Sequence, residues 1–302
     1  MSKAPIALFV YNRPSHTRLT VEALIRNEGA SDTDLYIFSD GPRNELAVED
    51  VFATRKFIND LNGFKNVTII ECEHNKGLSN SIIDGVTHVI SKHERVIVLE
   101  DDLVTSPFFL DYMNTALDLY KDDDRVGNIH GWVFPIKNRL PETFFRRGAD
   151  CWGWATWQRA WKLFEKDGST LLTELSNKRL LQKFDLNGSC RLSEMLKQQI
   201  LGNNDSWAIR WHAKMFLLDK LCLYPGKSLI QNIGTDGSGR HGAMNNTFDV
   251  DLSSDRIVAK DIPIEECSFA RKEIIRFYRS RRKKVFLRIF TAIYNTLKVK
   301  LN

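Results

Sequence analysis

The chain of 302 residues has no run of about 20 consecutive apolar residues, no Cys-x-x-Cys pair and no Gly-x-Gly-x-x-Gly directly after an expected strand, and its first 131 residues contain no tryptophan. The first absence excludes a membrane-spanning helix. The opening Met1-Ser2-Lys3-Ala4-Pro5 lacks a signal-peptide pattern, so export is not expected. The five cysteines, Cys72, Cys151, Cys190, Cys222 and Cys267, are odd in number and far apart, which argues against zinc or redox pairing and predicts reduced, packed thiols in a cytosolic protein. Asn-x-Ser/Thr matches at Asn66, Asn187 and Asn245 then have no role as glycan acceptors. Without a Gly-x-Gly-x-x-Gly after a strand, a dinucleotide oxidoreductase is also excluded.

What is present is an ordinary globular composition, 43% hydrophobic and 27% charged, enough for one large core or two coupled smaller ones. The net charge of +5 is uneven. Residues 271–302 carry eleven Lys or Arg against one Glu, so the first 270 residues, with 32 basic and 37 acidic, are mildly acidic and the basic excess belongs to a tail.

Short apolar runs alternate with helical patterns through the first 130 residues, which predicts an α/β sheet with crossover helices. The expected strands are Ile6 to Tyr11, Leu35 to Phe38, Val67 to Ile70 and Val96 to Leu99, the last apolar on both faces as a central strand between helix layers must be. Helical spacing appears at Val21, Leu24 and Ile25, and again at Ile82, Val86, Val89 and Ile90. All seven tryptophans fall between Trp132 and Trp211, and Ile230 to Gly242 is rich in glycine and polar residues, as a mobile loop is. The chain is therefore divided as 1–130, a nucleotide-binding α/β half; 131–250, an acceptor half with the glycine-rich loop; and 251–302, a C-terminal extension.

The sharpest chemical signal is Glu100-Asp101-Asp102. Three adjacent carboxylates at the carboxyl end of a buried strand repel one another at the place where ligands bind in open α/β sheets, and a hard divalent cation, Mn²⁺ or Mg²⁺, would relieve that repulsion. The alternative is that they cap the next helix, but Thr105-Ser106-Pro107 already offers a hydroxyl cap there.

Val96-Ile97-Val98-Leu99-Glu100-Asp101-Asp102-Leu103 with Ser106-Pro107-Phe108-Phe109 resembles the metal-binding segment of N-acetylglucosaminyltransferase I and its bacterial family 2-like relatives, the GT-A glycosyltransferases of surface polysaccharide synthesis. Ile6 to Pro14 is similar to the opening strand and nucleotide-contacting turn of that group, and Asn75-Lys76-Gly77-Leu78-Ser79-Asn80 to the loop before its acidic motif. Cys151-Trp152-Gly153-Trp154, Asp205-Ser206-Trp207 and Asn232-Ile233-Gly234-Thr235-Asp236-Gly237 resemble segments of the bacterial members. The likeness spans residues 4 to about 245 and rests on the order of the segments.

The resemblance implies a GT-A fold, Rossmann-like with a mixed, mostly parallel central sheet and helices on both faces; a C-terminal helical tail is expected in addition from the spacing of its apolar residues. It implies an inverting transfer of a sugar, N-acetylglucosamine first among candidates, from a UDP-sugar to a saccharide or lipid-linked acceptor. Asp102 is then the direct metal ligand, Glu100 and Asp101 lie at the donor sugar or ribose, and Asp40 accepts a hydrogen bond from the uracil ring. Asn12, Arg13 and Lys76 belong to the donor site; Arg13 either pairs with diphosphate oxygens or is an exposed turn cation, and Asp40-Gly41-Pro42 is otherwise an ordinary turn.

Inverting transfer needs a base for the acceptor hydroxyl. Asp205 is the candidate, its alternative role being a helix N-cap, with Asp150 and Glu194 as substitutes. Where the animal enzyme has two adjacent acids this chain has Asp205-Ser206-Trp207, which leaves the register open by one residue. Trp154, Trp157 and Trp161 recur at helical spacing and read as core, whereas Trp152 and Trp207 are expected to stack on the acceptor sugar. His241 either reaches the diphosphate when the glycine-rich loop closes or is simply exposed.

A sugar nucleotidyltransferase is the nearest rival, but it needs a glycine-rich turn where this chain has Tyr11-Asn12-Arg13-Pro14. A non-catalytic nucleotide- or membrane-binding protein is the other. Nucleic acid is not an expected partner. From Arg271 the basic residues accompany Phe286, Ile289, Phe290, Ile293 and Leu297 at helical spacing. Such a helix suits an anionic membrane surface, which places the protein in the cytoplasm, peripheral on the inner membrane, or else it packs on the protein body.

Overall fold

The computed structural model describes residues 2–237 and 246–281. In chain order the elements are β1 (Ile6–Val10), α1 (Pro14–Ile25), β2 (Asp34–Ser39), α2 (Val48–Asn59), β3 (Asn66–Glu71), α3 (Leu78–His93), β4 (Arg95–Glu100), β5 (Leu103–Thr105), α4 (Phe109–Leu119), β6 (Val126–His130), β7 (Thr143–Arg147), β8 (Trp154–Trp157), α5 (Gln158–Trp161), α6 (Gly168–Asn177), α7 (Leu181–Phe184), α8 (Leu192–Ile200), α9 (Trp207–Leu217), β9 (Leu221–Pro225) and β10 (Ile230–Asn232). Residues 268–281 form a further helix.

Eight strands make one mixed sheet in the order β3-β2-β1-β4-β8-β6-β9-β7, and a separate antiparallel pair joins β10 to β5. The pairs β1·β2, β2·β3, β1·β4 and β6·β9 are parallel; β4·β8, β6·β8 and β7·β9 are antiparallel. Strands from both the 1–130 and 131–250 segments share this sheet, with β8 inserted between β4 and β6.

Alternation along the central strands explains the two helix layers. Ile6, Leu8, Ile97 and Leu99 point to one face, where Val21 and Leu24 of α1, Ile58 of α2 and the apolar residues of α4 cover them. Ala7, Phe9, Val96 and Val98 point to the other, under α3 and α9. With successive side chains on opposite faces, a strand covered on both must be apolar where it is covered, as β1 is throughout and β4 is from Val96 to Leu99.

Two expectations fail for tertiary reasons. Trp154 and Trp157 lie on strand β8, not on a helix: Trp154 packs on the α3 side and Trp157 on the α4 side, an alternation imposed by pairing with β4 and β6. Helix α4 has no side-chain cap: Thr105 is paired in β5, Phe108 holds the N-cap position, and the Ser106 hydroxyl, which donates to the Ser253 carbonyl at 2.8 Å, accepts from the Phe108 amide ahead of the helix at 3.4 Å.

The extension is docked on the body as far as it is described. Ile257, Ala259, Ala270 and Ile274 are buried, Phe145 bridges to Glu266, and Phe277 and Tyr278 meet the Phe134 ring edge-to-face. Phe286, Ile289, Phe290, Ile293 and Leu297 lie outside the described residues. No helix among the described residues is long and apolar enough to cross a membrane. Ile274 is fully buried, so Ile274→Ala should lower unfolding stability by about 2–5 kcal/mol in a urea titration; an unchanged midpoint would mean that residues 268–281 do not belong to the core.

Candidate active site

The strand order reverses between β1 and β4. The chain steps outward from β1 through α1 to β2 and through α2 to β3, then returns through α3 to β4 on the other side of β1. A crevice opens at the carboxyl ends of strands at such a reversal. Arg13 follows β1 there, and Glu100, Asp101 and Asp102 end β4.

Arg13 Nη2 lies 2.5 Å from Asp101 Oδ1 and 2.9 Å from Asp102 Oδ2. The Arg13 carbonyl accepts from the Thr17 amide and hydroxyl, both at 2.9 Å, which fixes its backbone at the start of α1. Thr20 donates to the Asp101 carbonyl at 2.8 Å, tying the acidic segment to the same helix. Burial, then the Asp102 and Asp101 charges, push the Glu100 carboxyl up to about 8, with Arg13 opposing. Burial likewise lifts Asp101 to about 6, although Arg13 beside it favours the charged form. One guanidinium does not neutralise three carboxylates.

Two neighbours were not foreseen from sequence. Pairing of β10 with β5 brings the glycine-rich segment onto the acidic one: the Ile233 amide donates to the Asp102 carbonyl at 2.9 Å, and a Cβ added to Gly234 would stand 2.1 Å from Asp102 Oδ2 and 3.0 Å from Arg13 Nη1. Only glycine allows that approach. Further along, Asp236 reaches His16 of α1 at 3.2 Å. His241 lies outside the described residues.

Asp40, 7% exposed, accepts from the amides of Gly41 at 2.9 Å, Lys76 at 2.8 Å and Gly77 at 2.9 Å. Its carboxylate therefore holds the loop after β3 against the end of β2, and most of its accepting capacity is used in doing so. Asn75 closes the same loop by donating to the Gly41 carbonyl at 2.8 Å. Lys76 turns outward to Asp84, 3.3 Å away, and Asn12 is half-buried. Gly77, at φ +77°, precedes α3, and a Cβ there would lie 3.8 Å from Asp205 Oδ2, so this loop and Asp205 are neighbours. Ser206, not Asp205, caps α9, its hydroxyl accepting from the Ile209 amide at 3.2 Å.

Since Val98 pairs with Trp154, the residues preceding β8 run alongside those that follow β4. This brings Trp152 toward the mouth, half-buried, edge-to-face with Trp132 and Phe248, its amide donating to His130 Nε2 at 3.1 Å. Trp207 does not join it: at 3% exposure it stacks on Trp154 beneath the sheet, leaving no face for a sugar ring. Asp150 accepts from Tyr224 at 2.9 Å, Arg146 at 3.4 Å and the Cys151 amide at 3.1 Å. Burial would raise this carboxyl, but His130, Arg146, His212 and the Tyr224 hydroxyl together hold it below the usual range. Glu194 sits on α8, paired with Gln198 at 2.7 Å.

Among the described residues no group of three or more His, Cys, Asp or Glu converges as a metal cage. The donor set instead fits a hard cation taken mainly by one carboxylate, Asp102, with water and phosphate oxygens completing its shell, and the charge left uncompensated by Arg13 favours such an ion.

No protein-family profile matches the chain. Solved structures with a similar arrangement include the mannosyltransferase PcManGT from Pyrobaculum calidifontis in complex with GDP-Man and Mn²⁺, at 12% identity and TM-score 0.34 over 44% of this chain and 36% of that one. Residues 1–349 of TarS from S. aureus, in complex with UDP-GlcNAc, match at 13% identity and TM-score 0.32 over 48% of this chain and 39% of that one. A protein assigned as a nucleotide-diphospho-sugar transferase from Desulfovibrio desulfuricans G20 matches at 14% identity and TM-score 0.36, over 55% and 69% respectively. The chain thus spans little more than a third of the first two proteins.

Because Asp40 occupies three backbone amides, Asp40→Ala leaves those donors unpaired and should lower stability by about 1–3 kcal/mol, read from a urea midpoint; a neutral substitution would remove the loop-holding role.

Proposed function

We propose that the chain is a metal-dependent inverting glycosyltransferase that moves a sugar from a nucleoside diphosphate donor to a saccharide acceptor. The observation that carries this is the carboxylate triplet at the β1/β4 reversal, three acids on consecutive residues of which two, Asp101 and Asp102, share the one guanidinium of Arg13. A site short of positive charge at a nucleotide-binding position suits a divalent cation together with a diphosphate, and the segments that resemble N-acetylglucosaminyltransferase I supply the sugar chemistry.

In this assignment Asp102 would hold Mn²⁺ or Mg²⁺, which when bound neutralises the leaving diphosphate. Asp101 and Glu100 face the donor sugar or ribose, and the Asp40-held loop around Lys76 carries the nucleoside side together with Asn12. Asp205, beside that loop, takes the proton of the acceptor hydroxyl as its oxygen attacks the anomeric carbon. Trp152 is the acceptor-side aromatic. UDP-N-acetylglucosamine is the first donor to test, with surface polysaccharide or its lipid-linked precursor as the acceptor class. Docking on an anionic inner-membrane surface, if the tail does this, falls to residues beyond Arg281, since the helix of residues 268–281 is packed on the body.

A panel of nucleotide sugars with Mn²⁺, read by nucleoside diphosphate release, tests this assignment. Release of pyrophosphate would instead identify a nucleotidyltransferase, and no turnover with any donor would leave a binding protein. Asp102→Ala should abolish metal-dependent donor binding in calorimetry while the fold persists; unchanged metal dependence refutes the ligand assignment. Asp205→Asn should keep donor affinity and lose turnover by about 10²- to 10⁴-fold, and a rate within a few-fold of the parent would move the base elsewhere.

A further inference from the structure

Arg13 and the assigned metal claim the same oxygen. Arg13 Nη2 is 2.9 Å from Asp102 Oδ2, the atom against which Gly234 is also pressed. A hard cation binds a carboxylate oxygen at about 2.0–2.2 Å, and a guanidinium hydrogen-bonded to that oxygen would stand within a few ångström of it. Two full positive charges so close repel strongly where water screens poorly. The backbone that carries the carboxylates is held: Thr20 donates to the Asp101 carbonyl and the Ile233 amide to the Asp102 carbonyl. The Arg13 backbone is fixed too, by Thr17. What can yield is the Arg13 side chain, 21% exposed against 6% for Asp101 and 14% for Asp102, and so the member of the trio with the widest path to solvent.

We propose that Arg13 is the resident counter-cation of the acidic motif and exchanges with the metal, leaving Asp102 for the donor diphosphate as the metal arrives. This rests on the assignment of Asp102 as metal ligand. Two consequences follow. A metal alone must compete with Arg13, so its affinity without nucleotide is weakened. A diphosphate gives the displaced guanidinium a bidentate partner, so nucleotide and metal each favour the binding of the other. If Arg13 were only a strut between β1 and β4, its loss would loosen the motif and weaken metal binding.

The full chain is titrated with Mn²⁺, free ion being followed by electron paramagnetic resonance, with and without UDP. Arg13→Met should bind Mn²⁺ alone about tenfold tighter than the parent and lose most of the gain that UDP gives the parent. Arg13→Lys keeps a charge but spans two carboxylates poorly, so it should fall between the two, and it decides the matter should the Met variant fail to fold. Mn²⁺ binding alone that is weaker or unchanged in either folded variant overturns the exchange, as does an undiminished gain from UDP in Arg13→Met. Failure of the parent and both variants to bind Mn²⁺ at all overturns it together with the metal assignment. Exchange as expected, with no sugar transferred from any donor, would sink the glycosyltransferase assignment and leave the exchange standing.

Discussion

Glu100, Asp101 and Asp102 stand at the end of a strand covered by helices on both faces, where little water is available to screen them from one another. Their positions are not adjustable, because the backbone that carries them is held by Thr20 on one side and Ile233 on the other. Electrostatics must therefore be settled by protons or by cations. Burial and mutual repulsion raise Glu100 from 4.5 to about 8, so between those values the folded chain keeps a proton that the unfolded chain has released. Folding stability falls as pH rises through that window, and a cation beside the carboxylates reverses the penalty. Arg13 does this for two of the three acids.

The rest of the architecture keeps that charge imbalance in a crevice. β1 lies inside the parallel part of the sheet, and the reversal of strand order between β1 and β4 leaves no crossover connection over the gap between their ends. The β5·β10 pair, outside the main sheet, draws the glycine-rich segment against the acidic motif, and Gly234, having no Cβ, leaves the space that the Asp102 carboxylate occupies. At the end of β2 Asp40 acts through its neighbours: three amides converge on it, and the loop it holds lies against Asp205. Two loops far apart in sequence are thus set by one buried carboxylate.

What could be read in the sequence was what depends on short-range pattern. The strands β1 to β4 and helices α1 and α3 follow from apolar periodicity, and the carboxylates were legible as strand-terminal because β4 is continuously apolar up to Glu100. Contacts across long separations were not. The partner of Arg13 is 88 residues away in sequence, and no local signal marks it. Trp154 and Trp157 show how far a period can mislead: spacing of three fits a helix turn, but it also puts the two indoles on opposite faces of a strand, and pairing with β4 and β6 decides between these. Trp207 lies with Trp211 and Met215 on the face of α9 that looks into the core, a burial that no local signal at Trp207 reveals. A helix cap was the alternative role open to Asp205 in the sequence; the hydroxyl of Ser206 takes that place.

That last detail bears on which carboxylate can act as base. A general base must accept a proton at the moment of attack, so donors already committed to its oxygens count against it. Asp150 receives the Tyr224 hydroxyl, the Arg146 guanidinium and the Cys151 amide, and its surroundings favour the charged form strongly enough to hold its carboxyl below the usual range despite burial. Protonating it would break an ion pair and leave the Tyr224 hydroxyl competing for the same oxygen. Its position suits a structural role instead. By anchoring the turn into Cys151, Asp150 sets the course of the chain into Trp152 beside the acidic motif. Under the proposed function Asp205 is therefore the base to test ahead of Asp150: it borders the loop that Asp40 fixes, and the capping of α9 falls to Ser206.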